Sequence, residues 1–399
     1  MLVSGDSYPC EATASAEISY MPRRNERCFC GSGKRYKHCH GAWSVNTPDA
    51  PIENWHTTPE RVRDAFNRRQ IDRVNHYSNH GFHRPPLVAG NDQDRFIVRG
   101  GKVIHWGGGD NFMNFLESDL LRELGEPFRR NISHPLHIWW QAMRAQAKSR
   151  HHLGPERGLM STVPVLSFFT VAHDLFVIAD NSEPRERLLK SLRVADQFHG
   201  ARYELMIAAC LVRAGFSFAF SDEEDLSSGH SDGLATHRRT GKRYAVEMKT
   251  KSWPGVLGKS GERPPVETMK GNVSRQLREA LAKPADAERL IFIDMNLPPP
   301  PHDWQGEGVW WQGDAVASKR AVEEQPGNVP RDATGFVIFT NMPSNHLPLD
   351  EFYIGLETAF TGYNQPNFSA DMPLLGDAYP EIADLFDAFR NHDLMPQKF

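Results

Sequence analysis

The stretch Arg243-Tyr-Ala-Val-Glu-Met-Lys-Thr-Lys-Ser252 decides how the C-terminal half of this 399-residue chain folds. Tyr244, Val246 and Met248 are apolar, whereas Glu247 and Lys249 alternate with them and are charged. Successive side chains of a β-strand point to opposite faces, so the pattern predicts a strand with one apolar and one charged face. Glu247 and Lys249 stand two residues apart and therefore share the charged face.

The elements predicted on either side of this strand are helices and further strands. An apolar pattern of helical period ends at Gly215, a residue type that is common just after helix C-termini. Thr240 and Gly241 form a turn before the strand. The predicted order is a helix over 193–214, strands over 216–221, 233–237 and 243–252, a helix over 268–281, and strands over 290–295 and 335–340.

Acidic residues and one lysine occupy particular places in this order. Asp232, in the run His-Ser-Asp-Gly-Leu, begins one strand, and Glu247 and Lys249 lie in the next. Helix, three strands, helix and strand with these residues resembles the PD-(D/E)XK nuclease core, over about a quarter of the chain. The resemblance implies an α/β domain with a mixed αβββαβ sheet, in which Glu204 of the first helix is a further catalytic acid. The chain departs from the family's pattern at Ser231, where the family name expects proline.

Asp232 and Glu247 are predicted to bind a catalytic cation. Neighbouring strands bring residues of one face together, so we expect both carboxylates and Lys249 to converge in an open polar cleft. Two carboxylates and a backbone carbonyl, here that of Met248, form a hard-oxygen site for Mg²⁺ or Mn²⁺. The cation would polarise a phosphate and acidify bound water, while Lys249 orients the nucleophile or stabilises developing charge. Two further residues are predicted to support the site, Lys251 and Gln276.

The charged strand face also has a simpler interpretation. Glutamate and lysine on a solvated strand commonly form cross-strand ion pairs and bind no metal. The two interpretations differ in whether Asp232, Glu247 and Lys249 lie within a few ångströms of one point. Ser-His-Asp catalysis is not expected, because no nucleophile elbow, the strained Gly-x-Ser-x-Gly turn between a strand and a helix, is predicted.

Near the N-terminus, the run Asn25-Glu-Arg-Cys-Phe-Cys-Gly-Ser-Gly-Lys-Arg-Tyr-Lys-His-Cys-His-Gly41 has metal-ligand spacing. A Cys-x-Cys pair, eight residues and a Cys-His pair supply the three thiolates and one imidazole of a closed tetrahedral zinc site. The run resembles the SEC-C motif, a small zinc module. A closed site indicates structural zinc, and the alternative is a set of buried thiols at chance spacing. The predicted zinc ligands are Cys28, Cys30, Cys39 and His40.

Basic side chains surround the predicted zinc ligands. Residues 21–41 contain six basic side chains and one acidic side chain, that of Glu26. Such a patch suits the phosphates of DNA or RNA, or an acidic protein surface. The alternative is a zinc module that is merely soluble. The residues predicted to contact nucleic acid or a protein partner are Arg23, Arg24, Lys34, Arg35 and Lys37.

Composition is that of an ordinary globular protein, with 39% hydrophobic and 24% charged residues and a net charge of −4. Five cysteines form no disulfide framework, and with neither a signal peptide nor a membrane span predicted, we expect a reducing, cytoplasmic location. The predicted domains are a disordered tail (1–20), a SEC-C-like zinc module (21–43), a linker with a short helix (44–95), a mostly helical region (96–190) and a PD-(D/E)XK-like α/β domain with a C-terminal extension (191–399).

Together these features predict a metal-dependent nuclease-like enzyme that hydrolyses nucleic-acid phosphodiesters and docks through its zinc module. The alternative is a non-catalytic zinc adaptor with an inactive nuclease-like fold that contacts nucleic acid or protein. A third class, a partner in protein translocation or chaperone action, follows only from the best-known relative of the zinc module.

Overall fold

The computed structural model describes two terminal residues, a small sheet, and most of the chain from the first long helix onward. The four zinc ligands, the basic patch and the short helix of the predicted linker lie outside the described residues. The described residues are 3–4, 86–90, 94–99, 102–107, 112–150, 161–180, 182–221, 231–301, 304–305, 308–365, 368 and 372–394.

The first part of the described structure is a small antiparallel sheet followed by helices. Its three strands pair in chain order, and the middle strand pairs with both others. The strands are β2 (Leu87–Gly90), β3 (Asp94–Arg99) and β4 (Lys102–Gly107). The helices that follow are α1 (Phe112–Arg130), α2 (Pro135–Arg150), α3 (Val163–Val177) and α4 (Ser182–Leu192).

The second part is a larger sheet, whose strands in order across the sheet are β1 (Val3–Ser4), β10 (Glu357–Tyr363), β9 (Gly335–Asn341), β8 (Glu288–Asp294), β7 (Arg243–Thr250), β6 (Gly233–His237) and β5 (Phe216–Phe220). The pairs β7–β8 and β8–β9 are parallel and the other pairs are antiparallel, so the sheet is mixed, and the predicted α/β class is confirmed. β1 falls within the tail that we predicted to be disordered.

Helices pack on both faces of this sheet and form two apolar cores. One core joins Val246 and Met248 of β7 to α1–α5 and to the last helix. The other core joins Ile291 and Ile293 of β8 to the two helices on the opposite face. The helices of the C-terminal half are α5 (Phe198–Arg213), α6 (Ser274–Ala282), α7 (Gln312–Glu324), α8 (Met372–Ala378) and α9 (Pro380–Arg390).

Gly215 ends α5 as predicted, with a backbone φ of 88° that an L side chain rarely adopts. The helix begins at Phe198 instead of residue 193, because Ala195–Gln197 forms a separate 3₁₀ turn. Among the helices that the structure describes, none has the length and apolar character needed to cross a bilayer.

Candidate functional site

Asp232 lies directly before β6, where β6 pairs with β7. Its Oδ2 accepts a hydrogen bond from the backbone N–H of Met248, at 2.7 Å. The next residue, Gly233, has no room for a side chain, since a Cβ there would lie 2.6 Å from the carbonyl oxygen of Ala219. Gly233 thus packs closely on β5, while the hydrogen bond from Met248 holds the Asp232 carboxylate beside the Glu-x-Lys run of β7.

Glu247 lies within β7 and is buried, with 1% of its surface exposed. It alternates with Val246 and Met248, so it faces the side of the sheet that α6 covers. Lys249 brings its Nζ to 3.5 Å from Oε2 of Glu247. Asp232, Glu247 and Lys249 thus lie close together, as predicted, but Glu247 is buried where we expected an open cleft.

Lys283, directly after α6, is a fourth member of this cluster. Its Nζ lies 2.7 Å from Oδ1 of Asp232 and 2.8 Å from Oε2 of Glu247. Arg289 of β8 donates a hydrogen bond from Nη2 to the backbone carbonyl of Lys283 at 2.8 Å and so fixes the segment that presents the lysine. One ammonium group therefore lies between the two carboxylates that we predicted as metal ligands.

The electrostatics of Glu247 are those of a poorly solvated acid. Burial and then the negative charge of Asp232 raise its pKa to about 7, while Lys283 and Lys249 oppose the shift. Among the described residues, neither oxygen of Glu247 has a well-directed hydrogen-bond partner, although Lys283 is within ion-pairing distance. Burial alone would lower the pKa of Lys283, but its contacts with the two carboxylates raise it. The cluster holds an acid able to exchange a proton near neutral pH.

The sequence pattern did not identify Lys283. It follows a helix end by one residue, where lysine is common for reasons of helix-dipole stabilisation alone. Its distance from Glu247 in sequence is 36 positions, and no periodic pattern joins the two. Only the crossover from β7 through α6 to β8 places it above the Glu-x-Lys run.

The predicted helical acid, Glu204, lies elsewhere. It belongs to α5, which packs on the face of the sheet opposite Glu247. Its Oε2 is 3.8 Å from Nη2 of Arg187 on α4, and about a third of the side chain is exposed. Its contact with Arg187 is typical of a surface ion pair between two helices.

The two predicted supporting residues lie on the same side of the sheet as α6. Lys251 donates from Nζ to the backbone carbonyls of Lys270 and Asn272, just before α6, and lies over the ring of Trp253 at 4.9 Å. Gln276 lies on α6 itself and is half-buried. The Lys251 side chain therefore fixes the approach to α6 and also contacts Trp253.

Within the part of the chain that the structure describes, no group of three or more His, Cys, Asp and Glu side chains could hold a metal ion. The carboxylates of Asp232 and Glu247 form a pair, which leaves backbone oxygens and water to complete a coordination shell.

The N-terminal motif finds relatives among known proteins. The SEC-C motif family matches residues 24–42, which contain all four predicted zinc ligands. A similar segment occurs in the protein translocase subunit SecA of Verminephrobacter eiseniae (strain EF01-2), at 49% identity over 43 residues. That segment is 9% of this chain and 5% of the relative, so the similarity concerns the small module alone. No solved structure matches the chain.

Proposed function

We propose that the C-terminal domain is a metal-dependent nuclease-like enzyme that hydrolyses phosphodiester bonds of nucleic acid. The observation that supports this most strongly is the convergence of two carboxylates and a lysine. Oδ1 of Asp232 and Oε2 of Glu247 both lie within 2.8 Å of Nζ of Lys283, and Nζ of Lys249 lies 3.5 Å from Oε2 of Glu247. Ordinary cross-strand ion pairs do not require a buried glutamate beside a second acid.

The order of elements supports the same proposal. Helix α5 is followed by the three antiparallel strands β5, β6 and β7, then by α6, and then by β8, which is parallel to β7. This order and these pairings agree with the αβββαβ core that the resemblance to PD-(D/E)XK nucleases implies. The catalytic residues of the proposal lie at the start of β6 and in β7, where that resemblance places them.

The residues present fit a divalent cation. The buried oxygens of Glu247 lack directed hydrogen-bond partners, and buried carboxylates are normally hydrogen-bonded or bound to a cation. Asp232 and Glu247 would hold Mg²⁺ or Mn²⁺, with Lys283 moving away from the position its ammonium shares with both acids. Bound there, the cation would polarise the phosphate and acidify water. Lys249 would place its charge against the phosphate oxygen.

The N-terminal module would dock this enzyme. We propose that Cys28, Cys30, Cys39 and His40 bind one structural Zn²⁺, because three thiolates and an imidazole leave no coordination position open. The basic side chains around them would contact nucleic acid phosphates or an acidic partner. A role beside the protein-translocation machinery rests on the SecA segment alone and is the weaker proposal for this module.

One observation favours the alternative, a non-catalytic adaptor. The single ammonium group of Lys283 already contacts both carboxylates, at 2.7 and 2.8 Å. If Lys283 stays permanently in the position of a metal cation, the domain would bind nucleic acid or protein without metal and without catalysing cleavage. The two functions therefore differ in whether a divalent cation displaces the Lys283 ammonium group from Asp232 and Glu247.

A cleavage assay tests the proposal. With Mg²⁺ or Mn²⁺ present, single-stranded and double-stranded DNA and RNA should be screened as substrates of the full chain. Glu247→Gln and Lys249→Met should each lower the cleavage rate by a factor of about a hundred or more, the scale seen when one preorganised charged group is removed. Fragment yield on a gel, measured against time, gives the rate.

The matched control is Lys319→Met, which removes a lysine of α7 that pairs with Glu323 on the same helix. It should cleave at the parent rate. If the parent protein cuts no substrate yet binds nucleic acid, or if Glu247→Gln and Lys249→Met cut as fast as the control, the adaptor is the better description.

A further inference from the structure

A second cluster of reactive side chains lies on the opposite face of the sheet. His199, near the start of α5, brings its Nε2 to 2.8 Å from Oδ2 of Asp294 at the end of β8. Its other ring nitrogen, Nδ1, lies 3.3 Å from Oγ of Ser252. Asp294 and His199 are buried, with 0% and 4% exposure, whereas Ser252 is exposed.

The proton positions in this cluster follow from the acceptor. A carboxylate only accepts hydrogen bonds, so Nε2 of His199 donates its proton to Asp294. In the neutral imidazole, Nδ1 is then the acceptor, and the hydroxyl of Ser252 donates to it. Ser252 is exposed to solvent, and its hydroxyl proton points at a base that a buried carboxylate orients. This is the relation between nucleophile, base and orienting acid that activates a serine.

The loop that carries Ser252 is fixed against the turn that precedes His199. Gly258 approaches Ala195 so closely that a Cβ would meet its carbonyl oxygen at 2.6 Å. Lys259 lies 3.3 Å from Asp196 as an ion pair. Because the loop is held at this end and continuous with β7 at the other, Ser252 is positioned by two elements of the fold.

Hydrogen bonds to both of its carboxylate oxygens orient Asp294. Its Oδ1 accepts a hydrogen bond from the backbone N–H of Asn296 at 3.0 Å, which leaves Oδ2 for His199. Asn296 adopts a left-handed backbone with φ of 44°, an uncommon conformation that turns this N–H back toward the carboxylate. His346 contacts the carbonyl and side-chain oxygens of Asn296 at 3.1 Å. Strained backbone of this kind concentrates at functional sites.

We propose that Ser252, His199 and Asp294 form a second catalytic site, which transfers or hydrolyses acyl groups from ester substrates. Oγ of Ser252 attacks the ester carbonyl carbon while its proton passes to Nδ1 of His199. The bond to the alcohol then breaks, and His199 returns the proton to the departing oxygen. Water, deprotonated by His199, cleaves the acyl-serine and releases the acid, so the serine is regenerated.

This site is separate from the carboxylate pair of the proposed nuclease. Asp294 shares the sheet face of Phe292, which belongs to the core under α5, whereas Glu247 faces α6. The acyl-transfer proposal therefore does not depend on metal binding at Asp232 and Glu247. The sequence did not predict this cluster, since Ser252 follows a strand and precedes a Pro-Gly loop, with no helix behind it.

A fluorophosphonate reagent tests the nucleophile directly. Oγ of Ser252 would form a bond to phosphorus as fluoride leaves, with its proton taken by His199. Intact mass and peptide mapping of the full chain should show one adduct on Ser252, and p-nitrophenyl acetate should be hydrolysed. Ser252→Ala should abolish the adduct, and His199→Gln should slow labelling by about a hundredfold or more, the lower end of general-base contributions.

Ser260→Ala is the matched control, because Ser260 is exposed in the same loop and lies beside Asp196, not beside a histidine. It should label like the parent. Since Asp294 is fully buried, Asp294→Asn should be compared with the parent by thermal unfolding before its labelling is measured. An adduct that falls on several exposed serines, or a Ser252 adduct that forms equally fast in His199→Gln, would overturn the proposal.

Discussion

Two clusters of this protein share one stoichiometry, a cation between two carboxylates, but differ in how completely their polar atoms are satisfied. In the first, Lys283 lies between Asp232 and Glu247. In the second, His392 lies between Asp174 and Asp393, with Nε2 donating to Asp174 at 2.9 Å and Nδ1 donating to Asp393 at 3.0 Å. Comparing the two clusters therefore shows how a structural acid pair differs from one suited to a functional role.

The histidine cluster is surrounded by further donors. Arg213 of α5 lies 3.4 Å from Asp174 and donates to the carbonyl of His392 at 3.1 Å. Asp393 also accepts from the hydroxyl of Tyr353 and from the backbone N–H of Leu356. Several elements thus hydrogen-bond the carboxylates of the histidine cluster at once, and a buried polar network that is satisfied in this way rigidifies the fold.

The lysine cluster is less complete. Glu247 is buried without a directed hydrogen bond among the described residues, and its pKa is raised to about 7. The side chains of Asp232 and Lys283 are each about a quarter exposed. The difference indicates that the histidine cluster stabilises the fold, whereas the lysine cluster holds a buried, incompletely hydrogen-bonded acid beside two partly exposed side chains. Strongly perturbed pKa values cluster at functional sites, which favours a functional role for the lysine cluster.

The largest effect that would sharpen this comparison is expected for His392→Ala. Removing the imidazolium leaves Asp174 and Asp393 facing one another without it, and breaking a buried pair in this way costs about 3–5 kcal/mol. Urea unfolding followed by circular dichroism gives the free energy of unfolding. Arg275→Ala, which removes one partner of an exposed pair with Glu279, should cost only about 0.3–0.5 kcal/mol. Equal costs for both variants would contradict a structural role for the His392 cluster.

Much of the C-terminal sheet could be predicted because its pattern is local. The alternation over Arg243–Ser252 predicted β7, which ends two residues earlier at Thr250, and Gly215 marked the end of α5. The helix predicted over 268–281 is shorter, since α6 begins only at Ser274. The backbone N–H of Gly271 donates to Asp314 at 2.6 Å, which holds this segment against α7 in a non-helical form. A contact 43 positions away leaves no local pattern.

The residues of the candidate sites also divide into those that a local sequence pattern brings together and those that only the tertiary fold brings together. Asp232, Glu247 and Lys249 could be found because a strand period and one hairpin bring them together. Lys283 could not, because a helix and a crossover separate it from its partners. Ser252, His199 and Asp294 come from a loop, a helix and a strand that only the tertiary fold unites.

A second, somewhat smaller effect concerns pH. The charges of Asp174 and Asp393 raise the pKa of His392 to about 9 against the opposing effect of burial. A histidine with a raised folded-state pKa contributes stability that is fully present below its unfolded pKa of about 6.5 and lost as pH rises through about 9. A shift of this size corresponds to about 3 kcal/mol. Urea titrations from pH 6 to pH 10 should show this decline, and His392→Gln should lack it; a parent slope unchanged by that substitution would contradict the assignment.

The smallest effect on stability is expected at the lysine cluster, and its smallness is what distinguishes the two. Lys283→Met removes the ammonium from both acids, but Glu247 can then bind a proton, since the lost charge raises its pKa above the present value of about 7. At pH 6 we therefore expect a loss of about 1 kcal/mol or less, because the lysine is partly solvated. The loss should grow as pH rises through 7 to 9, where Glu247 must ionise next to Asp232 in the folded state but is already ionised when unfolded.

Divalent cation should reverse that trend if Lys283 occupies the position of a metal. With the lysine gone, millimolar Mg²⁺ or Mn²⁺ at pH 8 should raise the thermal midpoint of Lys283→Met more than that of the parent, since the cation no longer competes with an ammonium group. The double variant Lys283→Met/Glu247→Gln is the control, because it lacks one carboxylate ligand and should lose most of the response. A Lys283→Met protein as destabilised as His392→Ala at pH 6, and indifferent to either cation at pH 8, would make the lysine cluster a second structural pair, and the adaptor would then be the better account of this domain.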